Sequence, residues 1–264
     1  MPSKRAIGPS KIESMKILKF ILPLAVVFCF AGCLDINENV DVKKDGSGQL
    51  TMDMDMSQMI EMLQNYMGKE ELAKKGMQKM DTTIYMKDIV DTLSSLSAEK
   101  KSLLRPGKVH IKLDMDAKVF TTHMQFPFTS QENLQKLYIV MSDGSLGNAK
   151  LFGGLGGGDQ AGSPDINQFN GIYDFTSKDG LMVKKVNEEK WKALKEDPQM
   201  AQVKQAAQMG MEINYTTTIV LPRAVKTVDN PLAKLSEDKK TVVMKFNLID
   251  VFENPKQFNY RIEY

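Results

Sequence analysis

The sequence predicts an α+β fold, with an antiparallel sheet built from hairpins, helices packed on one face of that sheet, and one glycine-rich insertion loop. Two observations support this fold class. Short runs that alternate apolar and polar residues recur in pairs, and turn-forming residues separate the members of each pair. Other segments space their apolar residues by three and four positions, which is the pattern of a helix with one buried face.

The first predicted hairpin begins directly after Cys33. Leu34–Val42 becomes a strand, residues 43–48 have turn chemistry, and Leu50–Met56 alternates again. Three methionines share one face of the second strand: Met52, Met54 and Met56. A thioether site for Cu(I) is one interpretation, but alternate residues lie about 6.7 Å apart along a strand, too far for one ion to bridge easily. We therefore predict that these methionines fill the core.

Helices are predicted to dominate the next part of the chain. Ser57 is the expected N-cap of a helix that runs up to Gly68. Apolar residues at helical spacing predict further helices at Glu70–Met80 and Asp88–Leu104, with a short strand at Thr82–Tyr85 between them.

The clearest hairpin is Val109–Phe128. Its two apolar faces coincide if Leu113 opposes Phe120, and this register also places His110 directly opposite His123 on the outward face. These are the only two histidines in the chain. A cross-strand histidine pair can bind a metal ion, yet the sequence signals no further ligands for a tetrahedral site. We interpret the pair as solvated or as part of an interface, and we predict no metal site.

The second half of the chain continues the same alternation of hairpins and helices. Ser130 is predicted to cap a helix, and residues 142–171 are predicted to form a flexible glycine-rich loop. That loop lacks the preceding strand, the following helix and the lysine of a phosphate-binding loop. The remaining predicted elements are a hairpin with an Asp-Gly turn (Ile172–Val186), a helical region (Glu188–Met209), two strands (Glu212–Leu221 and Thr241–Leu248), a short helix (Ile249–Asn254) and a final strand (Gln257–Tyr264).

The start of the chain has the pattern of an export leader. A short basic segment that opens at Met15 precedes the uncharged run Phe20–Gly32. Its thirteen residues would cover about 20 Å as a helix, less than the ~30 Å hydrocarbon core of a bilayer, so a cleaved signal peptide fits better than a membrane-spanning anchor. We predict a signal peptide at residues 1–32, with Met15 as the suspected true start, and an exported domain at residues 33–264.

The end of this leader reads Phe30-Ala31-Gly32-Cys33 and resembles the lipobox of bacterial lipoproteins. The resemblance implies cleavage between Gly32 and Cys33 and attachment of diacylglycerol to the Cys33 sulfur. Acyl chains such as palmitate would then anchor the protein to a membrane. Phe30 departs from the family, which usually has a smaller aliphatic residue there. The alternative is an ordinary signal peptide with an incidental cysteine at its boundary.

The composition excludes several classes of protein. Five of the 35 basic and one of the 33 acidic residues precede Cys33, so 30 basic and 32 acidic residues remain in the exported part. This balance gives no electrostatic support for nucleic-acid binding. The only other cysteine, Cys29, lies in the leader, so the exported domain has neither a disulfide nor a cysteine-based metal site, and we predict no cofactor.

Two segments of the exported chain form a further pattern. The first is Cys33, a strand, the turn Asp45-Gly46-Ser47-Gly48 and a second strand. The second is a strand that ends Val220-Leu221-Pro222, followed after a turn by Ser-Glu-Asp-Lys-Lys-Thr-Val-Val-Met-Lys-Phe at residues 236–246. Both resemble the LppM-type domain of bacterial envelope lipoproteins. The resemblance implies an α+β ectodomain that contacts lipids or glycolipids and has no catalytic residues; the long middle, Lys69–Asn170, departs from that family.

Three functions follow from these patterns as alternatives. The first is a membrane-anchored, non-enzymatic binding or scaffold domain that contacts lipid or glycolipid through an apolar groove. Core packing is the alternative explanation for its candidate groove residues, which are Met54, Met56, Met115, Phe120, Met124 and Phe126. The second is a partner protein in an envelope assembly, with helices Asp88–Leu104 and Glu188–Met209 as contact faces. The third is an envelope hydrolase, which we disfavour because both imidazole bases lie on one hairpin, and we predict that the protein is not an enzyme.

The predicted location is the bacterial cell envelope, with acyl chains on Cys33 in the outer membrane or the cell membrane and the ectodomain outside the cytoplasm, for example in the periplasm. Asp35 lies two positions after Cys33. In some bacteria an acidic residue at this position retains lipoproteins at the inner membrane, but the rule does not transfer between bacterial groups.

Overall fold

The computed structural model describes residues 34–74, 79–143, 167–197 and 212–264. The predicted signal peptide, Cys33, residues 144–166 of the glycine-rich loop and residues 198–209 of the second predicted contact helix lie outside these ranges. Within the described ranges, no helix has both the length and the apolar character needed to cross a bilayer. All the described residues belong to the predicted exported domain.

The described residues contain twelve strands and eight α-helices. The strands are β1 (Leu34–Val42), β2 (Gly48–Asp55), β3 (Met80–Tyr85), β4 (Lys108–Asp114), β5 (Val119–Phe128), β6 (Tyr173–Lys178), β7 (Leu181–Val186), β8 (Ile213–Val220), β9 (Thr227–Val228), β10 (Lys234–Leu235), β11 (Thr241–Asn247) and β12 (Tyr260–Glu263). The helices are α1 (Ser57–Met67), α2 (Lys69–Lys74), α3 (Met86–Val90), α4 (Ala98–Leu104), α5 (Gln131–Ser142), α6 (Asn167–Gly171), α7 (Glu188–Glu196) and α8 (Leu248–Glu253), and a 3₁₀ turn follows at Pro255–Phe258.

The strands form two sheets. The large sheet has the order β10-β11-β8-β1-β2-β5-β4-β3, and the small sheet has the order β6-β7-β12-β9. Neighbouring strands are antiparallel except β1 and β8, which run parallel with Leu34 opposite Ile213 and Asp41 opposite Val220. The predicted α+β class is confirmed. The large sheet is mainly antiparallel, as predicted, and the structure adds a second, smaller sheet and one parallel pair, β1 and β8.

The core lies on one face of the large sheet. Alternate residues of β1 point into it, while the polar residues between them are half-buried or exposed on the opposite face. Helix α5 and the small sheet cover the buried face. The ring centroids of Tyr138 on α5 and Phe175 on β6 are 4.2 Å apart, and those of Phe246 on β11 and Phe258 in the 3₁₀ turn are 4.0 Å apart. The Phe258 ring also lies 5.9 Å from that of Tyr173 on β6, so aromatic packing links the two sheets.

The local predictions for hairpins and caps are largely confirmed. Leu113 pairs with Phe120 and His110 pairs with His123, as the coincidence of apolar faces predicted, with a four-residue connection between the strands. The Asp-Gly turn joins β6 to β7, and Gly180 has a φ of 78°, a left-handed conformation that glycine adopts without steric cost. The Ser130 side chain caps α5 by accepting the backbone N–H of Asn133.

Two predictions for the helical regions are wrong. Ser57 is not the N-cap of α1; its hydroxyl accepts the backbone N–H of Phe120 instead, and Met56 holds the cap position. Asp88–Leu104 is two short helices, because Ser97 caps α4 and starts a new helix after α3 has ended. Most of the predicted glycine-rich loop, residues 144–166, lies outside the described residues; at its described ends Ser142 belongs to α5 and Asn167–Gly171 forms α6.

Candidate functional site

The structure begins one residue after the predicted lipidation site, Cys33, which lies outside the described residues. Leu34 is already part of the sheet: its backbone N–H donates to the Glu212 carbonyl at 3.3 Å, and it lies beside Ile213 of β8. The next residue, Asp35, pairs with Asp55 and accepts a hydrogen bond from the Asn214 side chain at 2.8 Å. Strand β1 is therefore paired with a neighbouring strand on each side from its first residues, directly after Cys33.

We call the end of the large sheet where β1 begins the Leu34 end. Strand β2 finishes there at Asp55, β8 starts there at Ile213, and the turn from β4 to β5 at residues 115–118 projects beyond the same end. Helix α1 starts directly after β2, so its first turn is also fixed at this end by the hydrogen bond from the Phe120 N–H to Ser57.

Helix α1 stays at the Leu34 end along its whole length. Glu61 forms an ion pair with Lys118 at 2.5 Å, and one turn later the Gln64 amide donates to the Met115 carbonyl at 2.6 Å. Beyond the end of α1, Lys69 forms an ion pair with Asp116 at 3.0 Å. The helix therefore runs beside the β4–β5 turn along one end of the sheet.

The outer face of α1 carries exposed apolar side chains. Ile60 is fully buried against the core, but Met62 is 46% exposed and Tyr66 is 89% exposed. Met62 and Tyr66 are four residues apart and therefore lie on the same side of the helix. A large apolar side chain left in water is informative where its neighbours form a defined surface.

The six candidate groove residues fill the core. Phe120, Met124 and Phe126 are buried, and the other three are half-buried and packed against the same cluster: Met54, Met56 and Met115. None of them lines the small interior cavity that is bounded by Leu50, Met52, Tyr138, Met141 and Asn170. That cavity has a volume of about 10 Å³, room for about one water molecule. The core-packing interpretation is the one that these positions support.

A buried polar cluster, which the sequence analysis missed, joins the two sheets. Glu38 on β1 is 1% exposed, and its two carboxylate oxygens accept hydrogen bonds from the hydroxyls of Tyr138 on α5 and Tyr215 on β8. The Asn170 amide donates to the Tyr215 hydroxyl at 3.3 Å, and the Lys184 ammonium on β7 donates to the Asn170 carbonyl oxygen at 3.0 Å. A carboxylate and an ammonium thus share one network, as buried charges require.

Burial and the Glu38 charge together perturb the groups of this cluster. Burial raises the pKa of Tyr138 and Tyr215 well above 10.0, and the nearby Glu38 carboxylate raises them further. Burial lowers the pKa of Lys184 below 10.5, and the Glu38 charge opposes that shift. The Lys184 ammonium also lies 5.1 Å from the Tyr173 ring centroid and 5.4 Å from that of Phe258. The described contacts explain the cluster as a structural link between the two sheets, because the adjoining cavity has no room for a substrate.

The missed cluster has a signal in the sequence. Glu38 occupies an inward position in the alternation Ile36, Glu38, Val40 of β1, and Lys184 occupies the equivalent position between Met182 and Val186 of β7. A charged residue in phase with buried residues predicts a buried partner of opposite charge.

The two histidines lie on the opposite, outward face. His123 forms a hydrogen bond to the Asp53 carboxylate at 2.5 Å, while His110 contacts the Thr83 hydroxyl at 3.1 Å and the Asp81 carboxylate at 3.3 Å. No three His, Cys, Asp or Glu side chains of the described residues are arranged to hold a metal ion. Their partners are carboxylates and a hydroxyl, in keeping with a solvated pair.

An open depression lies between α3 and α4, within the first predicted contact region. It has a volume of about 630 Å³, and two of its lining residues, Arg105 and Asp91, form an ion pair at 2.7 Å. Three of its four charged lining residues are basic, and the full lining comprises Lys87, Asp91, Ala98, Lys101, Ser102, Arg105 and Pro106.

Comparison with known proteins gives one structural neighbour. No protein-family model and no curated protein matches the chain. Among solved structures, the chain is similar to the NMR structure of the folded domain of the LppM protein of Mycobacterium tuberculosis, with a TM-score of 0.38 and 11% sequence identity over 89% of this chain and 92% of that chain. This is the domain type that the two ends of the exported chain resemble in sequence. A similarity of this size supports no conclusion about function.

Proposed function

We propose that this protein is a lipid-anchored lipoprotein of the bacterial cell envelope whose ectodomain is a non-enzymatic scaffold or binding domain held directly on the membrane surface. The observation that carries the proposal is the start of the sheet at Leu34, one residue after the cysteine of the lipobox-like segment. Consecutive Cα atoms are about 3.8 Å apart, so the folded domain has no linker between itself and the acylated sulfur.

The interior of the domain favours a scaffold over a lipid carrier. A carrier must enclose an acyl chain, and ligand cavities have volumes of roughly 300–1,000 Å³. The interior cavity beside Leu50 and Tyr138 holds about 10 Å³, and the candidate groove side chains pack within or against the core cluster. Contact with lipid or glycolipid would therefore occur at the surface of the domain.

Substitution of the two cysteines tests the anchor. Cells that express the full chain are grown with labelled palmitate, and the label is followed in the membrane fraction. We expect Cys33→Ser to abolish both the label and membrane retention, because several acyl chains account for retention. Cys29→Ser is the matched control and should behave like the parent chain. A Cys33→Ser protein that is still labelled and retained would contradict the proposal.

The open depression between α3 and α4 favours a second candidate function, a partner protein in an envelope assembly. Lys87, Lys101 and Arg105 outnumber Asp91 on its lining, so it fits an acidic partner segment. A photo-crosslinker at Lys101 should then capture a defined partner in cells, and the same group at Lys245, exposed on β11, should not. Equal crosslinking patterns at both positions would count against this function.

A further inference from the structure

Helix α1 offers a surface for lipid at the end of the sheet from which the anchor emerges. We propose that this helix lies on the bilayer that holds Cys33, with Met62 and Tyr66 in the headgroup region. This inference rests on the proposed lipid anchor and extends it from an attachment point to a fixed orientation of the whole domain.

The proposed anchor and helix α1 lie at the same end of the large sheet. The acylated residue precedes Leu34, so the bilayer surface must lie close to the Leu34 end of the sheet. Contacts of Ser57, Glu61 and Gln64 with the β4–β5 region keep α1 at that same end. With a single peptide unit between anchor and sheet, the domain cannot lift away from the surface by extending a linker.

The exposed side chains of α1 suit the headgroup region of a bilayer. Met62 and Tyr66 form an apolar patch on the side of α1 that faces away from the core. A tyrosine ring with an apolar body and a polar hydroxyl suits the boundary between water and acyl chains, where amphipathic helices bind.

The charges close to α1 determine how it interacts with anionic lipids. Helix α1 has no net attraction for anionic lipids, because Glu61 is paired with Lys118 and, just beyond the helix, Lys69 is paired with Asp116. Two apolar side chains bind a membrane weakly on their own, but the anchor supplies a high effective concentration, so weak contact is enough to select one orientation.

Spin labels on single cysteines test the contact in the intact lipoprotein. The acylated Cys33 does not react with a thiol label, and Cys29 leaves with the leader, so one introduced cysteine gives one label. Tyr66→Cys and Met62→Cys are the test positions. Tyr85→Cys is the matched control, because Tyr85 is 52% exposed and lies level with Asn39, five residues along the sheet from Leu34.

The palmitate-labelled proteins are placed in vesicles of phosphatidylethanolamine and phosphatidylglycerol, and the accessibility of each label to oxygen and to a water-soluble nickel complex is measured by power saturation. We expect the labels at 62 and 66 to lose accessibility to nickel and keep it to oxygen, while the label at 85 stays accessible to nickel.

Three other outcomes overturn the proposal. Labels at 62 and 66 that are as accessible to nickel as the label at 85 would place α1 in water. Labels shielded from both reagents would indicate a protein contact, either a second copy or a partner. In both of these cases palmitate in the membrane fraction leaves the anchor intact, whereas a protein without palmitate overturns the anchor and the orientation together.

Discussion

The two faces of the large sheet carry carboxylates in opposite circumstances. Glu38 on β1 faces inward, where two tyrosine hydroxyls and a network that ends at Lys184 compensate its charge. Asp53 on the neighbouring β2 faces outward and contacts His123, with both side chains nearly half exposed. Both carboxylates are hydrogen-bonded, and they lie at a similar distance along the sheet.

The difference teaches that a close pair of charges has no fixed effect on stability. Water screens the outward pair, so the free energy of unfolding depends little on it. The inward carboxylate has lost its hydration, so every hydrogen bond that replaces water is needed. The same change in side chain should therefore have very different effects on the two faces.

The largest effect is expected for Glu38→Ala. The substitution removes the acceptor of two buried hydroxyls and the negative charge near Lys184. We expect the free energy of unfolding to fall by about 3–5 kcal/mol, measured by urea denaturation of the domain. Glu38→Gln, which keeps one acceptor oxygen, is the control and should cost less. Equal stability of Glu38→Ala and the parent would show that the cluster does not hold the sheets together.

The next effect concerns Lys184→Met and its dependence on pH. Because burial lowers the pKa of Lys184 in the folded protein, the unfolded chain binds more protons between that value and 10.5. The free energy of unfolding of the parent should therefore gain a contribution that rises with pH between that lowered pKa and 10.5, and the variant should lack it.

Urea denaturation at several pH values, with the parent and Lys184→Met side by side, measures this difference. Lys185→Met is the matched control, since that neighbour is exposed on the other face of β7. Parallel pH curves for the parent and Lys184→Met would contradict the assignment of a buried ammonium.

A smaller effect is expected for Tyr215→Phe, of about 1–3 kcal/mol, because one hydrogen bond to Glu38 is lost and the Asn170 amide loses its acceptor. The raised pKa of Tyr215 also predicts the direction in which stability changes with pH. Above pH 10.0 the unfolded chain loses the phenol proton that the folded chain retains, so the parent should lose stability there. Circular dichroism during alkaline titration should show a weaker loss in the variant.

The smallest effect is expected for Asp53→Asn on the outward face. The exposed contact with His123 should contribute less than about 1 kcal/mol to the free energy of unfolding, and added salt should reduce it further. Urea denaturation of this variant beside Glu38→Gln completes the comparison, since both replace a carboxylate by an amide. A larger loss from Asp53→Asn than from Glu38→Gln would reverse the interpretation of the two faces.

Sequence patterns predict the features that depend on near neighbours. Alternation alone brings His110 opposite His123, and turn chemistry predicts the sharp connection at Gly180. These features are local, because both strands of a hairpin and its turn lie within about twenty residues.

Long-range pairing is where sequence reasoning stops. Asp35 and Asn214 are hydrogen-bonded although 179 residues separate them, and no local pattern specifies which later strand lies beside β1. The same limit hides the buried cluster, since Glu38, Tyr138 and Lys184 come from three distant segments. The sequence does show that Glu38 and Lys184 occupy inward-facing positions of their strands. This predicts that each has a buried partner, but it does not identify the partner.

The parallel pair of β1 and β8 has a consequence for secretion. In the export that we propose, β1 would be the first segment to emerge behind the leader, and one of its two edges would stay unpaired until β8 has crossed the membrane, almost at the end of translocation. Pairing across such a sequence distance is slow, and an open strand edge invites the wrong neighbour. Under the proposed export, folding of the large sheet would therefore wait for β8, and the open edge of β1 would need protection from other extended chains until then.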